Sequence, residues 1–503
     1  MITRAIGAAA LVRDLGNWQD AERLPSRRSA RPESSSRRSA RPESRPAYRA
    51  LADSIRLLVH DGRVPLGVAL PSERELAAAL SVSRTTVASA YAALRDEGWL
   101  RSRRGARSVV AVPARGGPGA SRSRTPAGPA LDLSNASLPA PAPEIEAAYA
   151  AALRSMSTYL DSHGMEPVGV AVLREVIARR YRERGLPTSP DQIMVTSGAQ
   201  HAMRLLLGVL ADPGDRVVVD HPTYPNALEA IRRYGARPVP VPVRTEGGPA
   251  GGWDLDGIDS AVRQTAARTA FLVPDFHNPT GLCLDEAGRG ELARIMRDTR
   301  TTLVVDESMV DLWLDTPPPP PVASAAAGAP VVTIGSTAKS LWGGLRVGWI
   351  RADRDTIVRL AGARTAVDLG TPVMEQLAAA HLLSDVDELL ERRREQLRDR
   401  RRALGAALER HLPDWEYTPG QGGMSLWARM PEPVSTALAA AAPSHGVLLA
   451  AGPRFGVQGA FEHFVRLPYT QDAAVLDDAV EAMAAAYAQV ASGRNADETR
   501  LVV

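Results

Sequence analysis

The chain has 503 residues, which is enough for two or three folded units. Its formal net charge is only +3 at pH 7, so the overall charge does not point to any class of binding partner. Its single cysteine, Cys283, excludes an intramolecular disulfide framework and is typical of a reducing compartment. The sequence contains no uninterrupted run of about 18 apolar residues, so we expect no membrane span and a cytoplasmic location.

The first 45 residues are dominated by a direct repeat. Residues 26–34, which are rich in serine, arginine and proline, recur at 36–44. A segment of this composition cannot bury a core. We therefore expect residues 1–45 to form a disordered basic arm, which either adds attraction to DNA phosphates or is a solvated tail without a role.

Three short helices and a basic hairpin are predicted between residues 46 and 112. Apolar residues recur at helical spacing in the first helix. Ser72 and Glu75 have the spacing of a capping box at the start of the second helix, and Ser83 is a suitable cap for the third. The hairpin that follows has arginines crowded around Gly105. This order is typical of a winged helix-turn-helix, whose third helix reads the major groove.

The stretch from Leu70 to Val112 is similar to the DNA-binding domain of the GntR family, because it carries P-S-E-R-x-L, S-R-x-T-V and E-G-W in that order. The resemblance implies binding to double-stranded operator DNA. The residues that it implies as DNA contacts lie at the second and third helices and at the wing tip: Arg74, Ser83, Arg84, Thr85, Thr86, Arg104 and Gly105.

A flexible linker is predicted at residues 113–130, which are rich in glycine, serine and proline. Residues 131–495 have the pattern of one large α/β unit, and residues 496–503 form a short tail. Ser197-Gly198-Ala199 begin a helix directly after a strand, where free backbone N–H groups can bind an anion. Tyr224 follows another strand, and its ring either stacks on a flat cofactor or belongs to the core.

Lys339 is the only lysine, and every other basic residue among the 60 lysines and arginines is arginine. A lysine amine can form an imine, whereas a guanidinium cannot. We therefore interpret Lys339 as a reacting group and not as a surface charge. It follows the predicted strand Val331–Ile334, at the strand end where open α/β sheets place ligands. Ser336 and Arg346 flank it with groups that suit a phosphate.

Three further residues complete this pattern. Asn278 begins the turn Asn-Pro-Thr-Gly after a predicted strand. Asp306 ends the strand 302–306, where a carboxylate can keep a pyridine nitrogen protonated. Arg466 lies on the predicted strand 464–468, and its guanidinium can hold a carboxylate through two hydrogen bonds.

The segment S-x-x-K followed by G-L-R-x-G resembles the cofactor-lysine motif of fold-type I aminotransferases, and Asn-Pro-Thr-Gly stands upstream of it as in that family. With the GntR-like head, the chain resembles the MocR/GabR group of bacterial regulators. The implied fold class is α/β: an N-terminal winged helix joined to a large α/β domain with a mostly parallel sheet and to a smaller C-terminal α/β domain.

The resemblance implies pyridoxal 5'-phosphate (PLP) as the cofactor and no metal. Lys339 is then the residue that forms the internal aldimine. The other implied cofactor-binding residues are Asp306 at the pyridinium, Tyr224 stacked on the ring, Asn278 at the phenolic oxygen, and Ser197, Gly198, Ala199, Ser336 and Arg346 at the phosphate. Arg466 is implied as the substrate-binding residue that takes the carboxylate of an amino acid.

One departure bears on activity. The family usually has a tyrosine two or three residues after the aspartate, whereas Asp306 is followed by Glu307-Ser308-Met309. We therefore expect weak or vestigial transaminase activity. Our first hypothesis is a homodimeric regulator that senses PLP, or an amino acid or amine, through aldimine formation at Lys339. The alternatives are a working aminotransferase with an appended DNA-binding domain, and a regulator for which PLP is the sole effector.

Overall fold

The structure is a computed structural model that describes residues 5–16, 18, 46–60, 63–65, 68–101, 107–111, 131–244, 252–326 and 328–498. The serine-arginine repeat, the wing tip with Arg104 and Gly105, and the predicted linker lie outside the described residues. Within them, no helix is long and apolar enough to cross a membrane.

The helices and strands are numbered in chain order. The helices are α1 (Ala8–Leu15), α2 (Ala47–His60), α3 (Glu73–Leu80), α4 (Arg84–Asp96), α5 (Ala142–Ser155), α6 (Ser157–Leu160), α7 (Ala171–Glu183), α8 (Ala199–Leu210), α9 (Pro225–Tyr234), α10 (Leu255–Thr265), α11 (Glu286–Thr299), α12 (Arg354–Arg364), α13 (Val373–Ser384), α14 (Asp387–His411), α15 (Ser435–Ala441) and α16 (Ala473–Glu498). The strands are β1 (Leu100–Arg101), β2 (Val109–Val110), β3 (Leu131–Leu133), β4 (Ile193–Thr196), β5 (Arg216–His221), β6 (Arg237–Pro242), β7 (Thr269–Leu272), β8 (Thr302–Asp306), β9 (Val331–Ser336), β10 (Gly348–Arg351), β11 (Glu416–Tyr417), β12 (Ser425–Arg429), β13 (Val447–Ala451) and β14 (Phe464–Pro468).

The helix α1 corrects one prediction, because residues 1–45 are not a disordered arm throughout. Leu11 and Leu15 lie four residues apart on one face of α1, and both are fully buried in the core that α1 shares with the winged helix. The backbone N–H of Ile6 donates to Ala69 O at 3.0 Å. Burial of this apolar face explains why the segment is ordered, whereas the prediction weighed only the basic repeat that follows it.

The winged helix consists of α2, α3, α4 and the antiparallel pair β1–β2. The predicted capping box is confirmed: Ser72 Oγ accepts from Glu75 N at 3.2 Å, and Glu75 Oε2 accepts from Ser72 N at 2.8 Å. Ser83 Oγ caps α4 by accepting from Thr86 N at 3.0 Å. The Tyr91 hydroxyl donates to a backbone carbonyl at the start of α3, which fixes α4 against α3.

A seven-stranded sheet forms the large domain, in the order β4-β10-β9-β8-β7-β5-β6. The strands from β9 to β6 are mutually parallel, and β10 is antiparallel to both of its neighbours. Alternate residues of β5 face opposite layers: Val217 and Val219 pack with α8 and α9, and Val218 packs with α10 and α11. Because both faces are covered, the central strands are largely apolar, as is typical of a parallel sheet.

The small domain is built on a five-stranded sheet in the order β11-β12-β14-β13-β3. Its strand β3 follows the predicted linker and pairs in parallel with β13, whereas the other pairs are antiparallel. The long helices α14 and α16 pack against each other beside this sheet. The helix α15 contacts α2 of the winged helix, and their buried side chains belong to one continuous apolar core. The winged helix therefore packs against the small domain.

Candidate functional site

A cavity of about 250 Å³ lies at the carboxyl edge of the large sheet. This position follows from the topology, since the ends of parallel strands and the loops after them meet at one edge. All of the predicted cofactor-binding residues except Ser197 line the cavity. The complete lining is Ser137, Gly198, Ala199, Gln200, Met203, Tyr224, Val273, Asn278, Asp306, Ser308, Met309, Ser336, Ala338, Lys339, Gly343 and Arg346.

Lys339 lies in a single π-helical turn, Ala338–Trp342, directly after β9. The side chain is partly buried, and its Nζ donates to Ala136 O at 2.7 Å. Burial and the nearby Arg466 lower the pKa of Lys339, Asp306 opposes them, and the net value is about 8. A larger fraction of this amine is therefore neutral near pH 7 than in an exposed lysine, which favours attack on a carbonyl.

Asp306 is the last residue of β8 and is buried. Its Oδ1 accepts from Ser308 N at 2.9 Å, which fixes the carboxylate at the strand end. Burial raises the pKa of Asp306, while the Ser308 contacts and Lys339 lower it. A cation or a protonated ring nitrogen in the cavity would add a further stabilising partner for this carboxylate.

One end of the cavity suits an anion. Gly198 has φ +97°, and a Cβ at this position would lie 3.1 Å from Arg346 Nη2, so the close approach needs glycine. Arg346 Nη2 donates to Ser197 O at 2.9 Å, and Ser336 Oγ accepts from Ala338 N at 3.1 Å. The amino terminus of α8 adds backbone N–H groups that have no partner within the helix.

Ser197 contributes its backbone to this end and not its side chain. Its N–H donates to His201 Nδ1 at 3.0 Å, and its Oγ lies 3.4 Å from Thr371 Oγ1. The N–H and the Oγ of Ser197 are thus engaged outside the cavity lining, and its carbonyl accepts from Arg346.

The aromatic ring of Tyr224 is held at the cavity wall by two amides. Its hydroxyl accepts from Gln200 Nε2 at 2.9 Å and from Asn226 Nδ2 at 3.0 Å. The sequence analysis missed Gln200 and Asn226 as positioning residues. Gln200 could have been found, since it directly follows the Ser-Gly-Ala segment at the start of α8.

Two polar atoms of the lining are buried without a hydrogen-bond partner among the described residues: Asn278 Oδ1 and Ser308 Oγ. Buried polar groups are normally paired, so these atoms indicate a ligand that supplies polar partners. Ser308 and Met309 occupy the positions where the resembled family has a tyrosine. An anion end, a carboxylate, a reactive amine and unpartnered polar atoms around one cavity fit PLP.

Arg466 lies on β14, next to the cavity but not in its lining. The side chain is buried, and its Nη2 donates to Ser134 O. The guanidinium carbon stands 5.4 Å from the centre of the Phe455 ring, and Nε has no hydrogen-bond partner among the described residues. Burial and the nearby Arg454 lower the pKa of Arg466, Asp132 and Tyr224 oppose them, and the net value is about 10.

The predicted DNA contacts that the structure describes lie at the amino termini of α3 and α4. Arg74, Ser83, Arg84 and Thr85 are exposed, and Thr86 is half-buried. Ser83 Oγ also lies 2.8 Å from Thr86 Oγ1, so these two side chains are engaged with each other. Arg84 is the most open of the paired arginines here, with its Nε 3.8 Å from Glu73. The described residues contain no group of three or more side chains that could hold a metal ion.

Two protein families match the chain. Aminotransferase class I and II matches residues 132–483, and bacterial regulatory proteins of the gntR family match residues 47–110. The two matches divide the chain between the winged helix and the two α/β domains.

The relatives combine both parts or contain the second alone. The HTH-type transcriptional regulator YdcR of Escherichia coli K12 is 28% identical over 446 residues, which cover 83% of this chain and 94% of YdcR. The regulator YdfD of Bacillus subtilis is 26% identical, over 84% of this chain and 92% of YdfD. The 2-aminoadipate transaminase of Thermus thermophilus is 31% identical over 60% of this chain and 75% of the transaminase.

Among solved structures, the chain is similar to α-aminoadipate aminotransferase LysN from Thermus thermophilus, crystallised with N-(5'-phosphopyridoxyl)-L-leucine. The TM-score is 0.66 at 29% identity, over 72% of this chain and 93% of LysN.

Proposed function

The chain belongs to the aminotransferase class I and II family and is a transcription regulator of the MocR type, with a gntR-family winged helix joined to that domain, and from this premise we propose that its cavity binds PLP and senses PLP, an amino acid or an amine at Lys339. The winged helix then binds operator DNA, and the state of the cavity changes the affinity for DNA. A ligand can do so only if it binds two states of the protein unequally.

The observation that carries this proposal is the position of Lys339. The only lysine of the chain lies in the cavity lining together with Asp306, and its amine has a lowered pKa. In a chain that otherwise uses arginine for positive charge, a surface lysine would supply nothing that arginine does not, whereas imine formation needs a lysine amine. The same residue is the one amine of the lining that can bond covalently to an aldehyde.

PLP, when bound, supplies an aldehyde for Lys339 and an electron-withdrawing pyridine ring. The chain's residues would divide the work of holding it. Asp306 would keep the ring nitrogen protonated, and Tyr224 would lie against the ring. Asn278 would contact the phenolic oxygen. The backbone N–H groups of Gly198 and Ala199, the hydroxyl of Ser336 and the guanidinium of Arg346 would hold the phosphate, and Ser197 would position Arg346 through its carbonyl.

Arg466 is the proposed partner for a ligand carboxylate. Once a ligand amine occupies the reacting position, Lys339 Nζ is a free amine within the cavity and can accept or release a proton there. Met309 and Met203 line the same cavity, so an apolar side chain of the ligand would be accepted near them.

We further propose that a second copy of the chain covers an exposed apolar surface. Leu153, Leu160, Met165, Val367 and Leu369 each expose more than half of their side-chain surface. Leu153 lies on α5 and Leu160 on α6. Met165 lies in the loop after α6, and Val367 and Leu369 lie in the loop after α12. A Cβ on Gly370 would lie 2.9 Å from Glu166 O, which brings the two loops together. An apolar surface of this kind favours association into a homodimer.

We place the regulator in the cytoplasm, where operator DNA is accessible.

The absorption spectrum of the PLP-reconstituted protein tests this proposal. We expect a visible band for wild type that Lys339→Ala lacks, and a shift of the band when the effector amino acid is added from a panel of L-amino acids. A wild-type spectrum identical to that of free PLP would contradict the role of Lys339. A response to PLP with none to amino acids or amines would favour PLP as the sole effector.

A working aminotransferase is the second candidate. The intact Asn-Pro-Thr-Gly turn and the 31% identity to a transaminase favour it, while Ser308 and Met309 in the cavity lining do not supply a phenol. Sustained conversion of an amino acid and a 2-oxo acid by wild type would support this candidate. Its absence, with a spectrum that shifts and then stays constant, would support the sensor.

A further inference from the structure

One tetrapeptide contacts two of the cationic side chains at the candidate site, Lys339 and Arg466. Residues 134–137, here called the strap, directly follow β3. Ala136 O accepts from Lys339 Nζ at 2.7 Å, and Ser134 O accepts from Arg466 Nη2. The two carbonyl groups are two residues apart, so one short piece of backbone is the acceptor for both cations.

With Ser134 O as its acceptor, Arg466 lies beside the cavity and not in its lining. Ser137 is part of the cavity lining, whereas Arg466 is not, and Arg466 exposes only 6% of its surface. Among the described residues no carboxylate forms an ion pair with Arg466, and its Nε is buried without a partner. A neutral carbonyl is a weaker partner for a buried guanidinium than a carboxylate, which can accept from two N–H groups at once.

Side chains hold the strap in this position from outside the cavity. Asp132 Oδ1 accepts from Ser134 N at 2.8 Å and from Ser134 Oγ at 2.6 Å. Asp132 Oδ2 accepts from Asn135 Nδ2 at 2.9 Å. These hydrogen bonds all lie within residues 132–135 and do not involve Arg466. The strap can therefore lose its bond to Arg466 while they remain.

The strap is connected to the winged helix in two ways. Along the chain, β3 is preceded by the segment that leads back to β2 of the winged helix. Through packing, β3 pairs only with β13 among the described strands, β13 packs on α15, and α15 packs on α2. Because β3 has three residues and Leu133 at its end is fully buried in the core shared with α15 and α2, a shift of the strap acts on that core.

We propose that the strap occupies the place of an amino acid's carboxylate and that an α-amino acid switches the regulator by displacing Ser134 O from Arg466, which releases the strap and β3. The inference rests on the proposed function and narrows its ligand class. A simple amine occupies the reacting end of the cavity but has no group that competes for Arg466. An α-amino acid supplies the amine and the carboxylate together.

The experiment compares two stable probes that differ only in a carboxylate, N-(5'-phosphopyridoxyl)-L-alanine and N-(5'-phosphopyridoxyl)ethylamine. Each is added to saturation to the full-length protein without PLP, with binding measured by calorimetry. Hydrogen exchange is followed in peptides that cover residues 131–138 and α2. We expect the alanine probe to raise exchange in both peptides by roughly fivefold or more, the lower end of typical coupling between sites, and the ethylamine probe to leave both unchanged.

Equal exchange with both probes, although both bind, would overturn the inference and leave the proposed function intact. If neither probe binds, the cofactor site is absent, and the proposed function falls together with the inference. The two failures are therefore distinguishable by the calorimetric measurement alone.

A strap variant gives an independent test without a change of charge. The double substitution Ser134→Ala and Asn135→Ala removes the side-chain bonds to Asp132. We expect it to raise exchange at 131–138 in the free protein, and to improve binding of the alanine probe relative to the ethylamine probe by roughly fivefold, as for one or two lost hydrogen bonds. Thr356→Val is the matched control, since it removes a similar bond to Asp353 on the other domain. An unchanged ratio of the two affinities in a loosened strap would refute the competition.

Discussion

Arg289 Nη2 donates to Asp275 Oδ1 at 2.6 Å, and neither side chain exposes more than 1% of its surface. Asp275 stands three residues before Asn278. A second pair is close by: Arg184 Nη1 donates to Glu307 Oε2 at 2.8 Å, and Glu307 interacts electrostatically with both Asp275 and Arg289. Glu307 directly follows Asp306. A largely buried network of two carboxylates and two guanidiniums is thus next to the loop that carries Asn278 and the strand end that carries Asp306.

This network predicts a large effect on stability. Arg289→Met leaves Asp275 buried without its cation, and we expect a loss of about 3–5 kcal/mol in the free energy of unfolding, measured by urea denaturation. The double variant Arg289→Met with Asp275→Asn should recover a substantial part, since no bare charge remains. A single variant as stable as wild type would show that the pair contributes little.

The pKa of Lys339, lowered to about 8, predicts the pH dependence of PLP capture. Only the neutral amine attacks an aldehyde, so the capture rate should rise with pH and level off above about 8, and not near the ordinary lysine value of about 10.4. Asp306→Asn removes a charge that raises the pKa of Lys339, and it should move the midpoint to lower pH. Stopped-flow absorbance measures both profiles. A midpoint above about pH 10 in wild type, near the ordinary lysine value, would contradict the burial of the amine.

The two amides at Tyr224 predict a difference between removal of its hydroxyl and removal of its ring. Tyr224→Phe loses two hydrogen bonds at the cavity edge and should weaken PLP binding by no more than roughly tenfold. Tyr224→Ala also loses the ring surface and should weaken binding further. Fluorescence titration gives both dissociation constants. Equal losses in the two variants would indicate that the hydroxyl, and not the ring, holds the cofactor.

A further set of variants concerns α1. Leu11→Ala opens a cavity in the core shared with the winged helix, and we expect a loss of about 2–4 kcal/mol that appears as faster hydrogen exchange in α2 and α3. Arg13→Ala, on the exposed face of the same helix, is the control and should have little effect. Unchanged exchange in Leu11→Ala would mean that α1 does not stabilise the winged helix.

The exposed arginine at the start of α4 predicts a defined change in DNA binding. Arg84→Ala should weaken binding and reduce the dependence of log affinity on log salt concentration by about 1, if the side chain contacts one phosphate. Arg402→Ala, an exposed arginine on α14, is the control. A salt dependence that stays the same in Arg84→Ala while affinity falls would instead indicate a contact to a base.

Local signals predicted the elements that depend on local chemistry. The strands 302–306 and 464–468 have the predicted bounds, because short, largely apolar runs favour the extended conformation of a buried strand. The capping box at Ser72 and the cap at Ser83 are confirmed for the same reason, since both are contacts within one turn.

What the sequence did not predict depends on contacts between distant parts of the chain. The acceptor for Arg466 is a backbone carbonyl 332 residues away, and a carbonyl has no residue signature. The acceptor for Lys339, the carbonyl of Ala136 in the strap, is of the same kind, because it lies 203 residues away. Two features had a readable local signal: Gln200 directly follows the Ser-Gly-Ala segment, and Leu11 and Leu15 have helical spacing in α1, beside a basic repeat that pointed the other way.

The most direct test of the central claim is DNA affinity as a function of the state of Lys339. A duplex selected from a random-sequence pool by the PLP-bound wild type serves as the probe, and its dissociation constant is measured with and without the amino acid that shifts the visible band. The account predicts a change of roughly fivefold or more for wild type and none for Lys339→Ala, which should still bind the duplex. An equal response of both proteins to the amino acid would contradict sensing at Lys339.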